Sequence, residues 1–176
     1  MNFANADWLV SVYLEPAAAD TEAVRRRRIV KRFMHQHSGP LVVSHILLLG
    51  ARTVFSRITG EPLPREWQAL EADLGGWLRV EPINWPCLRF ECNALCAKYA
   101  WKVPLAAVDT AVVAAVKLAG GTRLLSFDPT VRVLASAEGI GIFPTLEPKE
   151  RGLLARLRHR NRRTAGKPPA NLAIAA

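Results

Sequence analysis

Residues 105–128, LAAVDTAVVAAVKLAGGTRLLSFD, decide the fold. Residues 105–119 are almost all apolar and helix-permissive and stop at Gly120-Gly121, which predicts a core helix with a glycine terminator. Residues 123–127 then form an apolar run too short for a helix, bounded by Gly-Gly before and Asp128-Pro129 after, which predicts an interior parallel strand. Asp109 is the only acid of the helix, and Asp128 stands just past the carboxyl end of the strand. That edge of an open α/β sheet is where ligands bind, and a carboxylate drawn out of water needs a cation, a hydrogen bond or a proton. Two acids converging there point to a divalent-metal site. A structural role is open to each as well: Asp109 complements the dipole in the first turn of its helix, and Asp128 before Pro129 caps the next one.

Outward from this stretch, strands and helices alternate. Residues 2–6 read as a strand whose turn sets Asn5 and Asp7 at the same sheet edge as Asp128, followed by a short helix closed by Glu15-Pro16. Residues 20–38 form a basic amphipathic helix carrying Arg25, Arg26, Arg27, Arg28, Lys31 and Arg32, which reads either as an RNA-facing surface or as a solvated or protein-facing one. Its terminal His35 and His37 point apart and are assigned no metal. Residues 41–44 make a second strand, and Ser44 precedes a helix over 45–57 that holds Gly50 in its interior, where glycine costs about 1 kcal/mol relative to alanine. An amphipathic helix follows over 64–78, a brief strand or crossover over 79–83, and a helix from Pro86 to about Tyr99. After Asp128 come a helix over 129–138, stopped by Gly139, and a last strand over 140–143. Such alternation predicts an α/β three-layer sandwich, a central and mostly parallel sheet flanked by helices. No GxxxxGK or GxGxxG phosphate loop occurs.

The chain of 176 residues, half of them hydrophobic, supports one well-packed domain over 1–148. No apolar run reaches the length of a membrane span and the N-terminus has no secretory pattern, so a cytoplasmic protein is expected. Cys87, Cys92 and Cys96 fall in one helix without a CxxC pair and are expected to be reduced packing residues. The net charge of +9 is unevenly held: residues 149–176 carry eight Lys/Arg against one acid, net +7, which leaves +2 for the other 148. The basic tail over 149–176 is expected to be partly disordered, binding phosphate backbones or merely solvated.

The succession FANADWLVSVYLEP, VVSHILLLGARTVF and AAVDTAVVAAVKLAGGTRLLSFDPTVRVLASAEGIGI resembles the PIN domain, in particular the VapC-like toxins of bacterial toxin–antitoxin pairs, over roughly residues 1–144. The resemblance implies a small nuclease that holds Mg²⁺ or Mn²⁺ on a cluster of acids and cuts RNA, with a cognate antitoxin and a homodimeric state as its further associations. Carried over by position, Asp109 and Asp128 match the third and fourth acids of that cluster. Two positions depart. The family's first strand ends in aspartate, as D-x-N or D-x-S, where this chain has Asn5 followed by Asp7, as though the two types were exchanged; the helix after the second strand carries a glutamate where this chain has Gly50.

Both departures remove ligand charge from a site that must bind a hard cation through oxygen and lower the pKa of a bound water. Asn5 retains an amide oxygen, Gly50 offers nothing, and Asp7 either restores a charge or caps the helix that it opens. Two functions follow. One is a VapC-like endoribonuclease in which Asn5, Asp7, Asp109 and Asp128 hold Mg²⁺ or Mn²⁺, impaired by the two replacements, with Arg25, Arg28, Lys31 and Arg32 as RNA contacts. The other is an inactive PIN scaffold retained for binding RNA, an antitoxin or another protein. Natural divergence and inactivation of a toxic gene both produce a depletion of this kind.

Overall fold

A computed structural model describes the backbone of residues 1–164 and the side chains through Arg158. Its elements in chain order are β1 (Asn2–Ala4), α1 (Ala6–Tyr13), α2 (Thr21–Gln36), β2 (Leu41–Ser44), α3 (His45–Thr59), α4 (Arg65–Ala72), β3 (Leu78–Glu81), α5 (Trp85–Tyr99), α6 (Ala107–Leu118), β4 (Arg123–Leu125), α7 (Pro129–Ala137), β5 (Gly141–Phe143) and α8 (Pro148–Thr164). The five strands form one sheet in the order β3-β2-β1-β4-β5, and every pairing is parallel. The expected α/β sandwich is thus present, with a sheet that is wholly rather than mostly parallel.

Strand alternation divides the core. Phe3, Val42 and Leu124 point to one face, where α5, α6, α7 and α8 cover them; Ala4, Leu41, Val43 and Leu125 point to the other, against α1, α2, α3 and α4. The stretch over 105–128 behaves as its pattern requires. Val112, Val113, Ala114, Ala115 and Val116 are buried in α6, Gly120 takes the left-handed φ of +66° that ends the helix, and a Cβ on Gly121 would lie 2.6 Å from Val116 Cγ1 and 2.8 Å from Phe3 Cδ2. No side chain fits at 121 while α6 packs on β1.

Three expectations change in detail. The helix expected over 64–78 ends at Ala72, because Gly75, at φ +84°, turns the chain into β3, where Leu78 pairs with Leu41. Cys87 and Cys96 are exposed instead of packed; Cys92 alone leans on the core, and all three are free thiols. The boundary drawn at 148 falls at the start of α8, whose Leu154 and Leu157 are buried in the same core as α7, so the chain through Leu157 belongs to the packed body. The remainder of the expected tail, residues 165–176, lies outside the described residues. Among the described residues no helix is long and apolar enough to cross a membrane.

The strand order places a topological switch between β1 and β4: the chain leaves β1 toward β2 and returns on the opposite side through β4. A crevice opens at the carboxyl ends of the two strands. Asn5 follows β1 and Asp128 closely follows β4, so the fold sets both on that crevice.

Candidate functional site

The crevice is tied together by Ser126, which is fully buried just after β4. Its Oγ accepts a hydrogen bond from Asn5 Nδ2 at 2.9 Å and another from the Asp128 backbone N–H at 3.0 Å, and donates its proton to Asp7 Oδ2 at 3.1 Å. Asn5, 7% exposed, caps α1 by accepting the Ala6 N–H on Oδ1 at 2.8 Å. That contact fixes the amide orientation, since only oxygen can face the N–H, and so makes Nδ2 the donor to Ser126. Asp7 has both oxygens engaged: Oδ1 accepts the Trp8 N–H at 2.7 Å, and Oδ2 accepts the Phe127 N–H at 2.7 Å together with the Ser126 hydroxyl. Its carboxylate therefore fastens α1 to the chain leaving β4.

Asp128 caps α7, Oδ1 accepting the N–H groups of Thr130 at 2.8 Å and Val131 at 3.1 Å. Asp109, in the first turn of α6, accepts the Ala106 N–H on Oδ2 at 3.0 Å. Both structural roles recognised for these acids are thus filled, yet each keeps its other oxygen out of these bonds. Burial raises the Asp7 carboxyl above its ordinary range; hydrogen bonds from Phe127, Ser126 and Trp8 oppose the rise and the Asp128 charge adds to it. For Asp109, burial again raises the pKa, the Ala106 N–H opposes, and the Asp128 charge adds to the rise. One carboxylate acting on two others is the electrostatic signature of acids that share a site.

All four expected site residues, with Gly50, line one groove of about 970 Å³ between α1, α3 and α6. Gly50 faces across it: a Cβ there would meet Ala6 Cβ at 3.5 Å, an ordinary contact, so the position has room for a side chain and holds none. The walls carry aliphatic side chains from Val10, Leu14, Ile46, Val54, Ile58 and Val108, with the acids Glu15, Asp20 and Glu22 along one rim, and among the described residues Arg26 is the only Lys or Arg in the lining. Arg25, Arg28, Lys31 and Arg32 do not line it. Arg25 pairs with Glu22 at 2.7 Å, whereas Arg28, Lys31 and Arg32 are exposed.

Asn5 Oδ1 is spent on α1, Asp7 has no free oxygen, Gly50 has no donor, and Asp109 and Asp128 offer one oxygen each. Among the described residues no three His, Cys, Asp or Glu are placed to hold a metal ion together. A hard divalent cation takes six or more oxygens and leans on carboxylate charge, so this donor set falls short of a tight Mg²⁺ or Mn²⁺ site. Ser126 is the residue that sequence reasoning passed over. The signal was present in S-F-D: a hydroxyl two residues before a cap aspartate, at the end of a buried strand, must find partners inside the protein.

No protein-family model and no curated protein matches the chain. Among solved structures, the crystal structure of Mycobacterium tuberculosis VapC20, a sarcin-ricin loop cleaving toxin, aligns with a TM-score of 0.61 over 80% of this chain and 96% of that one, at 18% sequence identity. The fold is therefore the VapC-like PIN fold.

Proposed function

We propose that this chain is a PIN-fold protein of the ribonuclease-toxin type whose Mg²⁺ or Mn²⁺ site is too poor in ligands for efficient hydrolysis of RNA. The observation that carries this reading is the arrangement at the switch point: Asp109 and Asp128 face the groove with Asp7 behind them, while Asn5 has spent its amide on local bonds and Gly50 leaves the opposite wall bare. The surviving carboxylates are at the edge where a scissile phosphate and its metal would sit, and the charge needed to hold that metal is short.

A second reading, a protein-binding scaffold with no turnover, draws on the groove's walls. Their aliphatic side chains, with acids and, among the described residues, a single arginine beside them, suit a segment of another protein, such as an antitoxin, better than a phosphate backbone, which is attracted chiefly by Lys and Arg.

The test is a calorimetric titration with Mg²⁺ and Mn²⁺ together with an RNA cleavage assay, on this chain and on the variant Asn5→Asp/Asp7→Asn/Gly50→Glu. The Asp7→Asn change is included because Ser126 has one proton to give and two carboxylates at 5 and 7 would both need it. Weak or absent metal binding and cleavage in the unaltered chain, with gain of both in the variant, is the expected result. Efficient cleavage by the unaltered chain refutes the depletion, and a folded variant without gain refutes the assignment of these positions.

A further inference from the structure

Strand β2 ends in a hydroxyl that the fold does not use. Ser44 is the N-cap of α3, yet its side chain caps no N–H of that helix; it is buried, and its Oγ has no hydrogen-bond partner. Buried hydroxyls are rarely left in that condition. The register partner of Ser44 on β3 is Glu81, so the two side chains leave the same face of the sheet on adjacent strands. Glu81 is half-buried, and among the described residues its carboxylate forms no ion pair or hydrogen bond. Both residues line an apolar cavity of about 180 Å³ between the sheet, α5 and α6, walled by Phe3, Ile83, Leu88, Ala115 and Leu118. The exposed Cys87 stands at its edge. This cavity shares no lining residue with the groove at the switch point.

We propose that this cavity binds a small primary amine carrying one aromatic ring, of the size of phenethylamine, with the ring among the apolar walls and the ammonium between Ser44 and Glu81. Volume and the leftover polar atoms select that ligand together. An apolar cavity of roughly 150 Å³ takes up a benzene molecule, so this one has room for a ring and a short arm, and too little for a nucleotide or a peptide. Asn84, also in the lining, spends its Oδ1 on the N–H of Cys87 at the start of α5. The atoms left over are a hydroxyl oxygen that can accept and a carboxylate that only accepts. An ammonium has three protons, enough for both, and a charge opposite to that of Glu81. An alcohol of the same shape brings one proton to the two acceptors and no charge, and an acid is repelled. For a ligand of about nine non-hydrogen atoms the expected Kd is about 0.1–1 mM. The site is separate from the ribonuclease reading and stands or falls apart from it.

An NMR titration of the full chain with phenethylamine, to about 10 mM, should shift the amide signals of Ala115, Leu118 and Ala119 in a saturable way. The same titration with 2-phenylethanol, which keeps the size and loses the charge, and with n-butylamine, which loses the ring, should give affinities about tenfold weaker. Glu81→Gln should weaken phenethylamine about tenfold and leave 2-phenylethanol unchanged. Ser44→Ala should weaken phenethylamine several-fold while the melting temperature holds or rises, because the hydroxyl that it removes has no partner to lose. As a second readout on the unaltered chain, saturating phenethylamine should slow alkylation of Cys87 by iodoacetamide about fivefold. Cys96, exposed about 14 Å further along α5 by the helical rise, should react as before. The absence of a saturable shift overturns the proposal, as does equal affinity for phenethylamine and 2-phenylethanol, or a Glu81→Gln chain that binds the amine as tightly. So does n-butylamine binding as well as phenethylamine, which would mark the cavity as a seat for a partner's lysine, or equal protection of the two cysteines.

Discussion

Replacing Asn5 by aspartate should destabilise the fold far more than the near-identity of shape implies. Ser126 Oγ accepts from Asn5 Nδ2 and from the Asp128 N–H, and has one proton, which goes to Asp7. Aspartate at 5 turns a donor into an acceptor competing for that proton. One buried carboxylate then goes without its hydrogen bond, a cost of about 1–3 kcal/mol. Both carboxylates lie near the same Oγ and so stand within about 6 Å of each other, repelling by about 3 kcal/mol at an effective dielectric constant of 20. Proton uptake sets a ceiling: at pH 7 it costs about 4 kcal/mol to protonate a carboxyl that ordinarily titrates near 3.8. The expected loss is therefore about 3–4 kcal/mol at pH 7 and under about 2 kcal/mol at pH 5. The sign follows because a carboxyl whose folded pKa is raised stabilises the fold most when protonated and loses that contribution as pH rises through the raised value. Urea unfolding of both proteins at the two pH values, with m-values compared, measures it. Asp7→Asn alone should cost about 2 kcal/mol, since an amide nitrogen replaces an oxygen among three donors. The double variant should cost about 2 kcal/mol less than the sum, because the repulsion disappears. Additivity within about 0.5 kcal/mol, or a loss equal at pH 5 and pH 7, refutes the shared-proton account.

Ser126→Ala should cost about 2–4 kcal/mol in the same unfolding assay, because it strands a donor on Asn5 and another on the Asp128 backbone and takes from Asp7 Oδ2 one of its two hydrogen bonds. Gly50→Ala should raise stability by about 0.5–1 kcal/mol, the helix-propensity difference, since the added methyl meets Ala6 at ordinary contact distance; a loss would show that the wall at 50 is closed. Burial would raise the Glu138 carboxyl, but hydrogen bonds from Lys117, Lys98 and Tyr99 outweigh it and hold the group at about 2, below its usual 4.5. Its contribution is present above pH 4.5 and lost as pH falls toward 2, so Glu138→Gln should lower stability at pH 7 by about 2 kcal/mol and flatten the acid limb of a pH series of unfolding midpoints. Finally, 10 mM Mg²⁺ should raise the melting temperature of Asn5→Asp/Asp7→Asn/Gly50→Glu by several degrees and that of the unaltered chain by less than one, because only an ion bound to the folded state stabilises it.

Elements with a strong period were legible before any coordinates. The helix over 105–119, its glycine stop and the strand after it follow from apolar spacing and the Gly120-Gly121 pair, and both strand-end positions, 5 and 128, fell where the sheet edge requires. Helix α8 was not legible as part of the body. Leu153, Leu154 and Leu157 are spaced among arginines, and composition weighs the charge while burial depends on two leucines reaching α7. The packing side of α5 was hidden for the opposite reason: apolar residues stand on both sides of the helix, buried Leu88, Leu95 and Tyr99 on one and exposed Cys87 and Phe90 on the other, and only exposure separates the two.

Asn5 and Asp7 illustrate a further limit, because the chemistry of each depends on the other through a residue 119 positions away from Asp7. Taken singly, Asn5 is a lost ligand and Asp7 a candidate replacement. Joined through Ser126 they form a closed set in which the amide donates, the hydroxyl relays and the carboxylate accepts, and every polar atom of the set has a partner. Chance damage to one metal ligand would leave a buried donor or acceptor stranded, at 1–3 kcal/mol. This pair strands none, so under the proposed function the exchange at 5 and 7 would be a coherent rearrangement that trades metal affinity for a satisfied core. Gly50 is different in kind. Nothing compensates for it, its helix is weakened by it, and the space that it leaves stays open to the groove. Restoring position 50 should therefore be nearly free of structural cost, while restoring position 5 alone should not, and that asymmetry distinguishes a site reorganised in concert from one merely broken.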